Sequence, residues 1–460
     1  MIAKTIFNTE FIVEGDAQFI KGLESYKIIS SKLVNLKIDI PEGALFFWPN
    51  REGELIKSRD INNVLSQKNL SSASICYPAT ASMLFFIIYN PDTKYGTVLF
   101  SNPDTDGKIA LFSLNKGTRS PYLQIEADGI DLNISNYKGN TFEEVVDKFL
   151  DEQIVDTILP SRVKLSFYQV QLGLYSPLGK HNIPLSKGFE VCEDVAKLMK
   201  NNIGYNNIIH IFAYHGAHDS NYPEYFPSQE LGGDLGLKKA IEGIHKERQR
   251  CSLYMNARLF SLELLDKYPY LKDSIIEDSN GDRVVESYNE RDFYVMDPLS
   301  EEWRELLKKR ASFLKSLGAD IIQLDQVAGR AAIGPIGYKW GYGYRLLIQE
   351  IESLDLEVWI QGINEIYPAN RFELCFRHPN ILVDGTIRGG HPFGVSYPLI
   401  ARILNNQNFI IPLGSKELLR DINKQNITID LENMPGELSL YSLTYMKDLI
   451  KILREQNLYA

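Results

Sequence analysis

The sequence predicts an N-terminal β-sandwich over residues 1–150 followed by a (β/α)8 barrel over residues 151–460. Three observations carry this. The first third consists of short runs rich in Ile, Val, Phe and Tyr, parted by turn clusters such as Pro49-Asn50, Asn90-Pro91-Asp92 and Asn102-Pro103-Asp104. From Ser161 onward strand and helix patterns alternate over about 300 residues, room for one barrel of ~250 residues with loop insertions. No glycine-rich phosphate loop follows the first of these strands, which counts against a doubly wound sheet.

In chain order, strands are expected at 27–40, 82–90, 97–101, 108–114 and 122–127, with no helical pattern between them. Thr141 then has the position of an N-cap, with Glu144 where a capping box needs it and apolar residues at helical spacing, so a helix links the two domains. Barrel strands are expected at 163–172, 208–214, 251–256, 321–324 and 358–361, with 373–376, 381–383 and 409–412 as candidates for the rest. Helices are expected at 188–201, 236–248, 300–317, 344–353, 397–405, 416–423 and 440–456.

Composition bounds the partners. A net charge of −10 argues against nucleic acid and anionic membrane, both of which call for basic patches. Cys76, Cys192, Cys251 and Cys375 are scattered without a CxxC pair and read as free thiols. The N-terminus alternates apolar and polar residues and has no signal-peptide core, and no apolar run is long enough to span a bilayer, so a cytoplasmic location is expected.

In such a barrel the chemistry sits just after each strand, at the C-terminal ends. Asp325 follows an apolar strand there, where a carboxylate can be aimed at an anomeric carbon; the alternative is a structural Asp. Glu365 lies one β/α unit later, close enough for the two to flank a glycosidic bond as nucleophile and acid/base. Asp384 competes with Glu365 for the acid/base role. The same rim carries His215, His218 and Asp219, whose imidazoles suit hydroxyl binding. Their HxxHD spacing also admits a metal-dependent hydrolase, but it matches no familiar zinc motif, and neither metal nor cofactor is expected. Asn256, Arg258, Gln323, Gln326, Asn364 and Arg388 can bond hydroxyls or orient the acids, and Tyr214, Tyr222, Tyr225 and Trp340 can stack on sugar faces or simply pack.

The run Tyr222-Pro-Glu-Tyr-Phe-Pro, then Leu253-Tyr-Met-Asn-Ala-Arg-Leu, then Met296-Asp-Pro-Leu-Ser-Glu-Glu-Trp-Arg leading to Gly318-Ala-Asp-Ile-Ile-Gln-Leu-Asp-Gln, resembles the α-galactosidase, α-amylase and endo-α-N-acetylgalactosaminidase barrels. That resemblance covers about half of the chain, residues 161–390, and is looser before it. It implies a retaining glycosidase for α-linked sugars, with an Asp nucleophile after strand four, matched by Asp325, and a Glu acid/base after strand five, matched by Glu365. It also implies a carbohydrate or glycoside as substrate. The sequence is expected to depart from the pattern in lacking the C-terminal β-domain common in those families. A non-catalytic carbohydrate-binding barrel is the remaining reading.

Overall fold

The computed structural model describes residues 2–153 apart from 7–8, 23–24, 52, 79 and 102–109, the strand Phe167–Gln171, residues 185–328 and 340–373 apart from four single positions, and short segments beyond them. The chain is mixed α/β. Its first part contributes eleven strands to one continuous hydrogen-bonded, mostly antiparallel sheet of 13, where the sequence suggested a sandwich of two. Its spine is the pair Ser25–Asp39 and Tyr122–Lys138. Along the second of these, Leu123, Ile125 and Ala127 are buried, then Ile130, Leu132 and Ile134. The parity changes at Gly129, where φ is 86° and the register shifts, so the strand keeps one face apolar through an irregularity that a strict two-residue period would not survive.

A helix, Ser58–Gln67, interrupts the strands, contrary to the expectation of none; it buries Ile61 and Leu65. The linking helix Phe142–Gln153 is capped as expected: Thr141 Oγ1 accepts from the Glu144 N–H at 3.1 Å, and Glu144 reaches back to the Asn140 N–H at 2.8 Å.

Eight parallel strands then close a ring: Phe167–Gln171, Ile208–Phe212, Arg250–Asn256, Ile321–Asp325, Glu357–Gln361, Arg371–Glu373, Asn408–Pro412 and Ile427–Asp430. The last returns to the first through Asp430 and Phe167. Helices Val191–Asn202, Gly233–Lys246, Glu301–Ser316 and Trp340–Glu352 follow the first four strands. The expected helices at 397–405, 416–423 and 440–456 lie outside the described residues, apart from Leu399.

The helix Glu301–Ser316 shows why the sequence was readable here. Ser300 accepts from the Trp303 N–H, Glu301 and Glu302 face the positive end of the dipole, and Gly318 at φ 111° ends it with the Ala319 N–H bonded to Leu314 O. The fully buried strand to Asp325 follows at once.

Residues 381–383 were read as a barrel strand and are not one. Ile381–Val383 pairs antiparallel with Thr386–Arg388, and this hairpin joins the N-terminal sheet through Ile387 and Ala73. A three-stranded antiparallel sheet, Leu259–Ser261, Val285–Tyr288 and Arg291–Val295, is inserted after the third barrel strand. Cys76, Cys192 and Cys251 are buried, and burial pushes the Cys192 thiol up to about 12; Cys375 lies outside the described residues. Among the described residues, no helix is long and apolar enough to cross a membrane.

Candidate active site

Parallel pairing gathers the C-terminal ends of the strands on one face of the ring. The third strand ends at Asn256 and the fourth at Asp325, in register with each other. Side chains two apart on a strand point the same way, so Tyr254 accompanies Asn256, and Gln323 accompanies Asp325. All four are buried.

The Asp325 carboxylate is held from both sides. Oδ2 accepts from the Tyr254 hydroxyl at 2.8 Å and the Asn256 amide at 3.5 Å, while Oδ1 accepts from the Gln326 backbone N–H at 2.8 Å. Behind Tyr254, the Tyr222 hydroxyl lies 3.1 Å away; it accepts from the Asp219 N–H at 3.0 Å and stands 3.4 Å from Asp219 Oδ1. His218 Nε2 is 3.0 Å from the same oxygen, its ring stacked on Phe212. Burial raises both tyrosines well above the usual phenol range, and the charge on Asp325 adds to this for Tyr254 as that on Asp219 does for Tyr222. Both therefore keep their protons, and Tyr254 serves Asp325 as a donor.

Backbone strain gathers on the same rim. Ala213 just past the second strand, Asp219 and Asn221 in its loop, and Gln326 after Asp325 all have φ between 50° and 61°. Each such residue costs about 1–3 kcal/mol, and this kind of strain concentrates at functional sites.

Glu365 lies four residues past the fifth strand and is half-buried. It is anchored by the N-terminal sheet: the Tyr77 hydroxyl donates to Oε1 at 2.6 Å, and the Glu365 N–H donates to Ser82 O at 3.0 Å. Asn364 donates to Ala81 O at 2.9 Å and caps the Ile366 N–H at 3.1 Å, so its side chain is spent on the loop. Gly341 completes this docking, since a Cβ there would stand 2.2 Å from Pro78 O.

Other expected contacts are placed differently. Tyr214, Tyr222, Tyr225 and Trp340 are at most 2% exposed, so as placed they have no free face for a sugar. Tyr214 donates to Tyr254 O and Tyr225 to Asn256 O; the Trp340 face is covered by the Arg258 guanidinium at 4.5 Å. Arg258 is buried and bonded to Glu286 at 2.6 and 3.3 Å, which makes it a strut between the inserted sheet and the barrel rather than a hydroxyl donor. Arg388 sits on the hairpin that joins the N-terminal sheet, and Asp384, between the hairpin strands, lies outside the described residues. Among the described residues no three His, Cys, Asp or Glu side chains converge as a metal needs.

Tyr254, Tyr77 and Glu286 were missed in the sequence. Tyr254 left a signal, its two-residue offset from Asn256. Tyr77 left none, since its contact spans 288 positions.

Two predictions arise here. Tyr254→Phe removes a neutral donor to a charged acceptor, worth roughly 1.5–3 kcal/mol. Turnover should fall about 10- to 100-fold in kcat with KM little moved and Tm lowered by only a few degrees, as steady-state kinetics and thermal melting would show; an unchanged kcat would remove Tyr254 from the site. Glu286→Ala strands a buried guanidinium and should cost about 3–5 kcal/mol in urea unfolding, whereas a loss under about 1 kcal/mol would mean the pair is not a strut.

The model of a family described as a domain of unknown function, DUF6259, matches residues 181–338, about a third of the chain. No curated protein matches the sequence. Among solved structures, an α-galactosidase from Thermus thermophilus in complex with stachyose is similar at a TM-score of 0.56 and 14% identity, over 98% of this chain and 93% of that one. An α-N-acetylgalactosaminidase from Bifidobacterium bifidum in complex with GalNAc gives 0.59 and 10%, over 99% and 93%. A sulfoquinovosidase from E. rectale gives 0.54 and 12%, over 99% and 75%. At these identities the likeness is one of fold, and the chain resembles these glycoside hydrolases in its architecture.

Proposed function

We propose that the protein is a glycoside hydrolase that cleaves α-linked sugars with retention of configuration, on a (β/α)8 barrel (residues 151–460) preceded by a β-domain (residues 1–150). The observation that carries this reading is Asp325: a carboxylate at the end of the fourth strand, held by Tyr254, Asn256 and the Gln326 amide. In-register contact with Asn256 fixes its position, as a nucleophile requires.

In this reading Asp325 attacks the anomeric carbon as Glu365 protonates the leaving oxygen, forming a covalent glycosyl-enzyme. Glu365 then takes a proton from water, which attacks the same carbon and releases Asp325. Two inversions leave the configuration unchanged. The hydroxyl of Tyr254 steadies the carboxylate in both steps. His218, Asp219, Gln323 and Gln326 stand close to this carboxylate in the chain of contacts or along the strand and are assigned to hydroxyl binding or support.

The test is chemical labelling. A 2-deoxy-2-fluoro α-glycosyl fluoride of the right sugar should add its glycosyl mass to the peptide containing Asp325, and proton NMR should show the α-anomer released first from a substrate. Label on another residue, or release of the β-anomer first, would refute the assignment.

A further inference from the structure

A cleft of about 600 Å³ opens beside the second-strand loop, in the size range of ligand sites. His215 and Ser220 lie at its floor, and Gln229, Glu230, Glu263 and Arg291 form an exposed rim. Asp325 does not line it. The path of contacts from His215 to Asp325 runs through the rings of Tyr222 and Tyr254, which stand between the cleft floor and the carboxylate in that path.

The floor is built for a polar ligand. The His215 ring is 7% exposed and packed among Tyr214, Tyr222 and Tyr225, with centroids 5.4, 5.8 and 5.6 Å away. The Ser220 backbone lies near enough to act on the ring, but neither ring nitrogen makes a hydrogen bond of regular distance and angle among the described residues. Burial holds this imidazole neutral, its pKa pushed down to about 3. A neutral imidazole offers one N–H donor and one lone pair, the same pairing that a hydroxyl offers. Buried polar atoms without partners cost about 1–3 kcal/mol, a cost that a bound hydroxyl relieves.

The rim narrows the class. Glu230 and Glu263 are exposed and form no ion pair among the described residues, and Arg291 donates one bond to Asp219 O at 3.1 Å. Two carboxylates against one guanidinium leave the cleft net negative, unfavourable for phosphate, sulfate or a uronic acid. Apart from the buried imidazole no aromatic ring lines it, so a flat apolar ligand has nothing to stack on. Carboxylates and a guanidinium set around a neutral donor–acceptor match pairs of sugar hydroxyls.

We infer that this cleft is a second, non-catalytic carbohydrate site, which holds a neutral oligosaccharide through hydroxyl pairs on Glu230, Glu263 and Arg291 and one hydroxyl on His215. It rests on the reading of the chain as a carbohydrate-active protein but not on Asp325 being the nucleophile. The rim position suits it to hold a distal part of a long substrate.

The experiment uses the full-length Asp325→Ala chain, the substitution that the proposed function expects to stop turnover, with and without the exposed pair Glu230→Ala/Glu263→Ala. Both are applied to an array of neutral, sulfated and phosphorylated oligosaccharides, and the strongest ligand is then titrated by calorimetry. The expected result is binding of neutral glycans, weakened about tenfold or more by the pair. In the wild-type background the same pair should leave hydrolysis of a small aryl monoglycoside within about twofold. Three results would overturn the proposal: no neutral glycan retained, equal retention by the paired variant, or preference for the anionic glycans. Failure of the hydrolase reading looks different, with glycans still bound and still sensitive to the pair while wild type turns over no aryl glycoside.

Discussion

Asp325→Asn is expected to lower kcat/KM for aryl α-glycosides by roughly 10⁴-fold or more while the protein still folds. The rate argument is that an amide is no nucleophile, so covalent chemistry is lost for every leaving group, good or poor. The folding argument comes from the contacts. Asparagine fills the same space and can keep one acceptor toward the Gln326 N–H, while the Tyr254 hydroxyl, which now meets an amide, can rotate to accept from it. One charge-assisted bond is exchanged for a neutral one at a cost of about 1–2 kcal/mol, partly offset because no charge is then buried. Kinetics beside thermal melting separates the two effects. A variant that retains a tenth of the activity would show that Asp325 orients substrate without attacking it. A collapsed Tm would show that its main service is structural.

What the sequence disclosed and what it concealed follow from the range of the forces involved. Ser300, Gly318 and the apolar run into Asp325 are local signals, and the helix expected at 300–317 and the strand expected at 321–324 are found within a residue of those bounds. Residues 381–383 present the same apolar pattern whether they pair in the barrel or in the N-terminal sheet, and only the tertiary partner Ala73 decides. The tyrosines after the second strand were left open between stacking and packing for a related reason. A polar-tipped ring beside a strand end reads as a sugar platform, yet Tyr214, Tyr222 and Tyr225 turn inward, each with its hydroxyl satisfied by the barrel. Arg258 was read as a hydroxyl donor because its partner, Glu286, belongs to an inserted sheet that the alternation of strand and helix did not announce. Inward or outward is a question the loop sequence does not answer. The strand sequence does: Asn256 and Asp325 were expected at the ends of the third and fourth strands, and they pair there in register.

The second large effect is expected at Glu365, where the outcome depends on the leaving group. In Glu365→Ala, hydrolysis of an unactivated glycoside should fall roughly 10²- to 10⁴-fold, the usual contribution of a positioned acid. An aryl glycoside with a low-pKa phenol needs little protonation, so it should still form the glycosyl-enzyme and give a burst of phenol. Turnover should then stall, because the same residue must activate water. Azide needs no base, so it should restore turnover and yield a sugar azide of retained configuration. The Tyr77 bond adds a further expectation. Its hydroxyl donates to Oε1, so the proton of the acid form belongs on Oε2, and the carboxyl is aimed from the N-terminal sheet. Tyr77→Phe removes that aim without removing the acid. It should lower the rate on poor leaving groups more than on activated ones, the same selectivity as Glu365→Ala in weaker form and without azide rescue. Equal losses on both substrate classes would make Tyr77 a packing residue. If Asp384→Ala instead shows the burst and the azide product while Glu365→Ala stays active, the acid/base is Asp384, and the link from Tyr77 to Glu365 serves to dock the N-terminal sheet on the barrel.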